Sequence, residues 1–278
     1  MQGHPFLFVL LSLDNPHHFD YSCRRSFWGS LIRTYQMALG GYFTRFLQLR
    51  DELSEDDLAR LAAMPTRLET FEPGEVIVSP GPHTRSCLVV SGLAGRVTML
   101  AGKPAVQAIT ALHVPGDFVD LHAFVLKELD HAVVAFGRVE VEFVDHTELA
   151  QMTEHFPHLT RLFWMTTAID AAVHRQWLFA SSVLRSSAHL AHLICELYVR
   201  MSSVGAARDC IMTVPLLQRE LAEILGYSSI HINRAVRDLR DRKLVRWQGS
   251  EVEILSWDGL TRLARFDPTY LEIGYRPR

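Results

Sequence analysis

The sequence predicts an α+β chain: an N-terminal antiparallel β-roll of the jelly-roll kind, a long central dimerisation helix, and a C-terminal winged helix-turn-helix. Three observations predict it. Residues 66–150 are short apolar runs punctuated by Gly and Pro, the pattern of strands joined by turns. From Pro157 onward apolar residues recur at alternating spacings of three and four, which is the period of a helix. Residues 218–237 read QRELAEILGYSSIHINRAVR, with small, apolar, turn and polar residues placed as two helices meeting at a sharp corner require.

Taken in order, the first 40 residues show no sustained helical or strand period, and Met37 stands just before the pattern changes. The expectation is a start at Met37, the alternative being a loosely attached extension over residues 1–40. Residues 41–156 form the predicted roll. Ser54 is a good N-cap, with Asp57 three residues on as an acidic variant of the capping box. The strand candidates are Glu75–Val78, Cys87–Val90, Gly95–Leu100, Ala105–Ile109, Ala132–Phe136 and Val139–Val144. Turns are expected at Pro73-Gly74, Pro80-Gly81-Pro82, Ser91-Gly92, Ala101–Pro104 and Pro115-Gly116-Asp117.

Residues 157–184 are the predicted dimerisation helix and hinge. Leu162, Met165, Ile169, Ala172, Gln176, Phe179 and Val183 form a heptad seam, long enough to pair two subunits. A second stripe, Leu159, Phe163, Thr166, Asp170, Val173 and Trp177, would cover the roll. Two such faces on one helix favour a dimer over a single core-facing stripe. Asp170 and His174, at i and i+4, read as a local polar pair. Arg185–Ala188 is the expected hinge, and Leu190–Met201 a further helix leading into the last domain, residues 185–278.

In that domain Leu221, Leu225, Ile232 and Ala235 hold two helices across a corner, and Ala222 is small where they approach. Gly226 stands where positive φ is needed, and glycine adopts it cheaply. Ser228 or Ser229 then caps the second helix. That helix buries Ile232, Ala235, Val236 and Leu239 and presents Ile230, Arg234, Arg237 and Asp241, flanked by His231 and Asn233. Arginines and small polar groups on an outer helix face suit a DNA major groove. The expected DNA contacts are Gln218, Arg219, Ser228, Ser229, Ile230, His231, Asn233, Arg234 and Arg237; a buried helical hairpin with solvated charges is the alternative. Residues 244–255 alternate apolar and polar about Gly249-Ser250, as a hairpin wing would. Residues 226–246 carry six Lys/Arg against two Asp/Glu, within a chain of net charge -3. Basic charge is gathered where phosphates would be met.

Composition bounds the rest. With 278 residues at 48% hydrophobic, there is apolar material for two domains. Cysteines 23, 87, 195 and 210 are scattered without a close pair. That spacing suits neither a zinc site nor an iron–sulfur cluster nor a disulfide framework, and it fits the cytoplasm. No apolar run is long enough for a membrane span, and Phe6–Leu13 lacks the flanks of a signal peptide. No nucleophile–base set or convergent acid pair stands at recognisable spacing, so no enzyme is expected.

Roll, long helix, hinge and winged helix-turn-helix, in this order, resemble the Crp–Fnr family of bacterial transcription regulators over residues 42–265. In the sensor half the resemblance rests on Pro73-Gly74-Glu75, Val90-Ser91-Gly92 and Pro115-Gly116-Asp117-Phe118. In the other half it rests on Leu221–Gly226 and His231-Ile232-Asn233-Arg234, the more specific set. The resemblance implies a homodimer on a palindromic double-stranded DNA operator and an effector pocket inside each roll. RNA polymerase would be a further partner if the protein is an activator.

The effector is where this chain departs from familiar members. Cyclic-nucleotide sensors follow the Gly-Asp turn with Gly-Glu and later supply Arg-Ser or Arg-Thr for the phosphate. Here Asp120 and Leu121, then Asp130 and His131, stand at those places. An acid there repels an anion, so cyclic AMP is not expected. The family's oxygen sensors use clustered N-terminal cysteines, and only Cys23 lies there, so an iron–sulfur cluster is not expected either. His113, His122 and His131 match no metal spacing; structural or pocket-lining roles outweigh ligation. His122, Phe124, Asp130 and His131 are the expected effector pocket, with the effector itself, small molecule or redox or gas signal, unknown. The competing class is a metal-binding jelly roll or enzyme tethered by a nucleic-acid-binding domain.

Overall fold

Two helices lead into the sheet: α1 (Gly41–Gln48) and α2 (Glu55–Ala63). The structure, a computed structural model, describes residues 41–100, 106–274 and 276, so the expectations for residues 1–40 and for the Ala101–Pro104 turn lie outside it. Ser54 caps α2 as its sequence requires: its Oγ accepts the Asp57 N–H at 3.1 Å, and Asp57 Oδ2 accepts the Ser54 N–H at 2.9 Å. The roll follows as β1 (Arg67–Phe71), β2 (Val76–Val78), β3 (Gly81–Pro82), β4 (Arg85–Leu100) and β5 (Val106–His113). A short helix α3 (Ala123–Leu126), β6 (Glu128–Leu129) and β7 (Ala132–Asp145) complete it. The main sheet runs β1-β7-β4-β5, with β2 also on β7, and β3 pairs β6. Every pairing is antiparallel.

Two expectations are corrected in the roll. The Cys87 and Gly95 runs are one strand, β4, and the Ala132 and Val139 runs are one strand, β7. Ser91-Gly92 is not a turn but a bulge, where the β4–β7 register shifts between Val89 and Leu93. A bulge breaks the two-residue alternation and demands a special backbone, so in sequence it looks like a turn. Gly92 sits at φ +85, and a Cβ there would stand 2.4 Å from the Arg138 carbonyl oxygen. β1 escaped sequence reading because Arg67–Phe71 holds only two apolar residues, one of them, Leu68, exposed.

Three helices come next: α4 (His146–His155), α5 (Pro157–Val183) and α6 (Ser186–Val204). Pro157 opens α5, where its missing N–H costs nothing. The second stripe of α5 is buried as expected at Leu159, Phe163 and Val173. The predicted pairing seam splits: Leu162, Met165 and Ile169 are buried within the chain, in one cluster with Leu271 and Val204, while Phe179 and Val183 are exposed. The C-terminal segment folds back over that face, which the local period could not reveal. Large apolar exposure on α5 falls at Trp164 (74%) and Leu178 (72%), and at Phe179 (58%) and Val183 (54%) in the second half of the seam. The break after α5 is also shorter than expected: only Leu184 and Arg185, both extended, separate α5 from α6.

The C-terminal part is β8 (Ile211–Thr213), α7 (Gln218–Leu225), α8 (Ser229–Asp241), β9 (Val245–Gln248), β10 (Glu251–Ile254) and α9 (Trp257–Ala264). A 3-10 turn spans Pro268–Leu271. β9 and β10 form the expected hairpin, with β8 on its other edge. The C-terminal part does not stand apart from the roll. One apolar cluster runs from Leu93, Ile109, Leu112 and Phe136 of the sheet into Ile194, Met212, Leu221 and Ile232. Cys87 and Cys195 are buried free thiols, but Cys210 is disulfide-bonded. Pairing follows distance in space, which cysteine spacing along the chain does not report. No helix among the described residues is long and apolar enough to cross a membrane.

Candidate functional site

The corner between α7 and α8 is built as its residues dictate. Gly226 ends α7 at φ +70, and Ser228 caps α8 through Oγ, which accepts the His231 N–H at 3.4 Å and meets His231 Nδ1 at 2.8 Å. Leu221, Leu225, Ile232, Ala235 and Leu239 are buried, fixing the roll of α8 about its axis. The opposite face is therefore free. Ser228, Ser229, Ile230, His231, Asn233, Arg234 and Arg237 are all exposed, and Ile230 keeps 64% of its surface in water.

The arginines of this region differ in their partners. Arg242 pairs with Asp238 at 2.8 Å, and Arg219 lies 3.8 Å from Glu220. Among the described residues no carboxylate pairs with Arg234 or Arg237. Unpaired guanidiniums on an exposed face are ready to meet bases and phosphates. Gln218 and Arg219 lie exposed at the start of α7. In the wing, Trp247 faces Val252 across the hairpin, and Gly249 supplies the turn at φ +59. Arg246 pairs with Glu253 across the two strands.

Inside the roll, a polar cluster gathers about Arg96. Its Nη2 donates to Asp170 Oδ2 at 3.2 Å and to the Val119 carbonyl at 3.1 Å. Its Nη1 donates to His174 Nε2 at 3.0 Å, while His174 Nδ1 faces the Asp170 carbonyl at 2.9 Å. A ring nitrogen facing a guanidinium accepts and one facing a carbonyl donates, so the contacts of His174 match the tautomer with a proton on Nδ1. The expected Asp170–His174 pair is thus part of a larger set. Asp120 is fully buried, and its Oδ1 accepts the Cys87 N–H at 2.7 Å. Burial raises its carboxyl to about 7.

Of the four residues expected to form an effector pocket, three come together. The rings of His122 and His131 lie 5.4 Å apart, and His131 Nδ1 meets Asp130 Oδ1 at 2.8 Å. Asp130 itself is exposed. Burial lowers His122 to about 4 and also lowers His131. Phe124 is elsewhere, edge-on to His146 at 5.5 Å. Arg96, Asp120, Asp170 and His174 were not read from the sequence as site residues. The available signal was Arg96, a lone cation in an otherwise apolar strand run. Arg96 Nε, His113 Nε2, His131 Nε2 and Asp120 Oδ2 are buried with no partner among the described residues. No three His, Cys, Asp or Glu side chains among those residues are grouped to hold a metal ion.

A second buried polar network joins the roll to the C-terminal part. Glu196 has no exposure. It accepts from Trp177 Nε1 at 3.1 and 3.2 Å, from the Tyr270 hydroxyl at 2.7 Å and from Arg200 Nη1 at 3.1 Å. Burial alone would lower the pKa of Arg200, but Asp117 and Glu196 more than offset it and keep the guanidinium charged.

Residues 188–263 match the Crp-like helix-turn-helix domain family. A search of curated proteins returns no match. Among solved structures, FixK2 from Bradyrhizobium japonicum aligns with a TM-score of 0.64 at 19% identity, over 72% of this chain and 98% of its own. A transcriptional regulator of the CRP/FNR family from Thermus thermophilus aligns at 0.53 and 18% identity, over 72% of this chain and 100% of its own. A putative cAMP-binding regulatory protein from Silicibacter pomeroyi aligns at 0.56 and 16% identity, over 81% of this chain and 99% of its own.

Proposed function

We propose that this chain, a Crp-like helix-turn-helix domain joined to a roll in the fold shared with CRP/FNR regulators, is a homodimeric transcription regulator that binds palindromic double-stranded DNA. The observation that carries the reading is the α8 face. Its buried residues lock the helix, and Ile230, Arg234 and Arg237 are left exposed, the arginines without carboxylate partners. The wing follows directly and flanks the same groove.

Pairing of two copies is supported by the apolar exposure of α5. Trp164, Leu178, Phe179 and Val183 are costly in water on a single chain and sit on a helix long enough to run beside its two-fold mate. In the roll, the Arg96 cluster is the place to receive a signal. It holds buried polar atoms without partners, each costing about 1–3 kcal/mol until satisfied. Cyclic AMP is not proposed as that signal, because Asp120 is buried in the roll and Asp130 stands where a phosphate-binding arginine would be needed.

The test is site selection from random duplex DNA, followed by gel shift. A palindrome with half-sites about 10–11 bp apart, bound by a dimer with affinity falling steeply as salt rises, is the expected result. A monomer on the DNA, or binding indifferent to salt, would overturn the reading.

A further inference from the structure

Where α5 gives way to α6, a cavity of about 290 Å³ opens between the sheet, α5, α6 and the first helix of the helix-turn-helix. Its walls include Trp177 and Ala180 from α5, His189 and His192 from α6, and Ile224 and Leu225 from α7. It adjoins the Arg96 cluster of the roll, with which it shares His174. Thr110 of β5 reaches it from the sheet side.

The lining states what it would accept. None of its residues is Lys, Arg, Asp or Glu, so a charged ligand would be buried without a counter-ion, which is expensive. The wall is mostly apolar, with imidazoles as its main polar groups. His189 and His192 are both more than nine-tenths buried, and the Nδ1 of each has no partner among the described residues. Burial lowers His189 to about 4, so the ring is neutral and can share a hydrogen bond with a neutral partner. The volume is near the lower end of small-molecule sites, about 300 Å³, and roughly twice the ~150 Å³ that holds benzene. Two fused rings fit that space.

The site is wired to the recognition helix. The His189 ring packs edge-on to Tyr227 at 5.9 Å. Tyr227 donates its hydroxyl proton to the Leu184 carbonyl at 3.2 Å, in the break between α5 and α6. Its ring also lies 6.4 Å from that of His231 in α8. Ile224 and Leu225 are wall and helix-turn-helix core at once.

We propose that this cavity binds a small, neutral, two-ring aromatic molecule carrying one hydroxyl, hydrogen-bonded to His189. Occupancy fixes how α7 and α8 sit against α5, and so sets DNA affinity. The binding claim stands alone; the effect on DNA rests on the regulator reading above.

The probe is 2-naphthol, titrated into the full chain by calorimetry beside 2-naphthoate and naphthalene. One 2-naphthol per chain with a Kd of about 10–100 µM is expected for a ligand of this size, with 2-naphthoate at least about tenfold weaker. His189→Leu should reduce 2-naphthol to the affinity of naphthalene. Ile224→Phe, at a half-buried wall position, should abolish binding by filling the space, and serves if the first variant does not fold. No binding of 2-naphthol, equal binding of 2-naphthoate, or unchanged affinity in Ile224→Phe would overturn the site. With the selected operator, saturating 2-naphthol should change DNA affinity by about fivefold or more, and DNA should change 2-naphthol affinity by the same factor. Binding without that reciprocal shift overturns the coupling. A chain that binds no DNA at all would instead sink the regulator reading, while calorimetry still decides the cavity.

Discussion

Arg200 Nη2 donates to Asp117 Oδ2 at 2.6 Å, so a helix of the C-terminal part grips the Pro115-Gly116-Asp117-Phe118 turn of the roll. The same guanidinium reaches Glu196 at 3.1 Å and the Leu112 carbonyl at 2.8 Å. Both members of the Arg200–Asp117 pair are largely out of water. Removing one side of a buried pair leaves the other uncompensated, at about 3–5 kcal/mol. Arg200→Met should therefore lose roughly that much stability in urea denaturation at neutral pH. A loss below about 1 kcal/mol would show that solvent screens the pair.

On α8, Arg234 lies one turn in from the helix start, on the exposed face. Arg234→Ala should cost about 1–3 kcal/mol of operator binding and relax one base position per half-site. Ile230→Ser should weaken selection of thymine, whose methyl is the apolar feature of the groove. Arg237→Ala should weaken all sequences alike and lower the salt slope by about one. Site selection on the three variants decides it: a consensus changed by Arg237→Ala and not by Arg234→Ala would reverse the orientation of the helix.

Cyclic AMP or cyclic GMP at millimolar concentration should leave thermal stability and operator affinity unchanged. A ligand confined to the folded state adds about 2.7 kcal/mol at 100 times its dissociation constant, which a melting curve would register. An upward shift with either nucleotide would contradict the reading of Asp120 and Asp130.

Asp120 makes stability depend on pH with a definite sign. Its folded pKa, about 7, lies above the ordinary carboxylate value of 3.8. Between those values the folded state holds the proton more tightly than the unfolded one, so this group lowers stability as pH rises from about 4 to 7. The full span is roughly 4–5 kcal/mol at ~1.4 per unit. Asp120→Asn keeps an acceptor for the Cys87 N–H and cannot ionise. Relative to the parent it should gain stability between pH 5 and pH 8. A difference between the two proteins that stays flat with pH would refute the assignment.

Much of this was legible in the sequence because it is local. The helix-turn-helix core, the Gly226 corner, the Ser228 cap and the wing each depend on residues within a few positions of one another. The β4 and β7 strands were broken in reading, because a bulge at Gly92 has the same residue chemistry as a turn. Only the first half of the α5 seam is covered within the chain, because Leu271, over a hundred residues away, packs in one cluster with Ile169 and its neighbours. The Arg96 cluster was missed for the same reason. Arg96, Asp120 and His174 are brought together by the sheet and α5, and no spacing along the chain records it.

The apolar packing that runs unbroken from Leu93 and Phe136 of the sheet to Leu221 and Ile232 of the helix-turn-helix has a thermodynamic consequence. Modules joined by a wet, polar linker melt one after another, each with its own enthalpy. Here neither half can lose its structure without exposing the inner wall of the other. Heating should thus give one endotherm, with calorimetric and van't Hoff enthalpies equal, and amide exchange in the sheet and in α8 should share one opening free energy. The roll and the helix-turn-helix are a single cooperative unit.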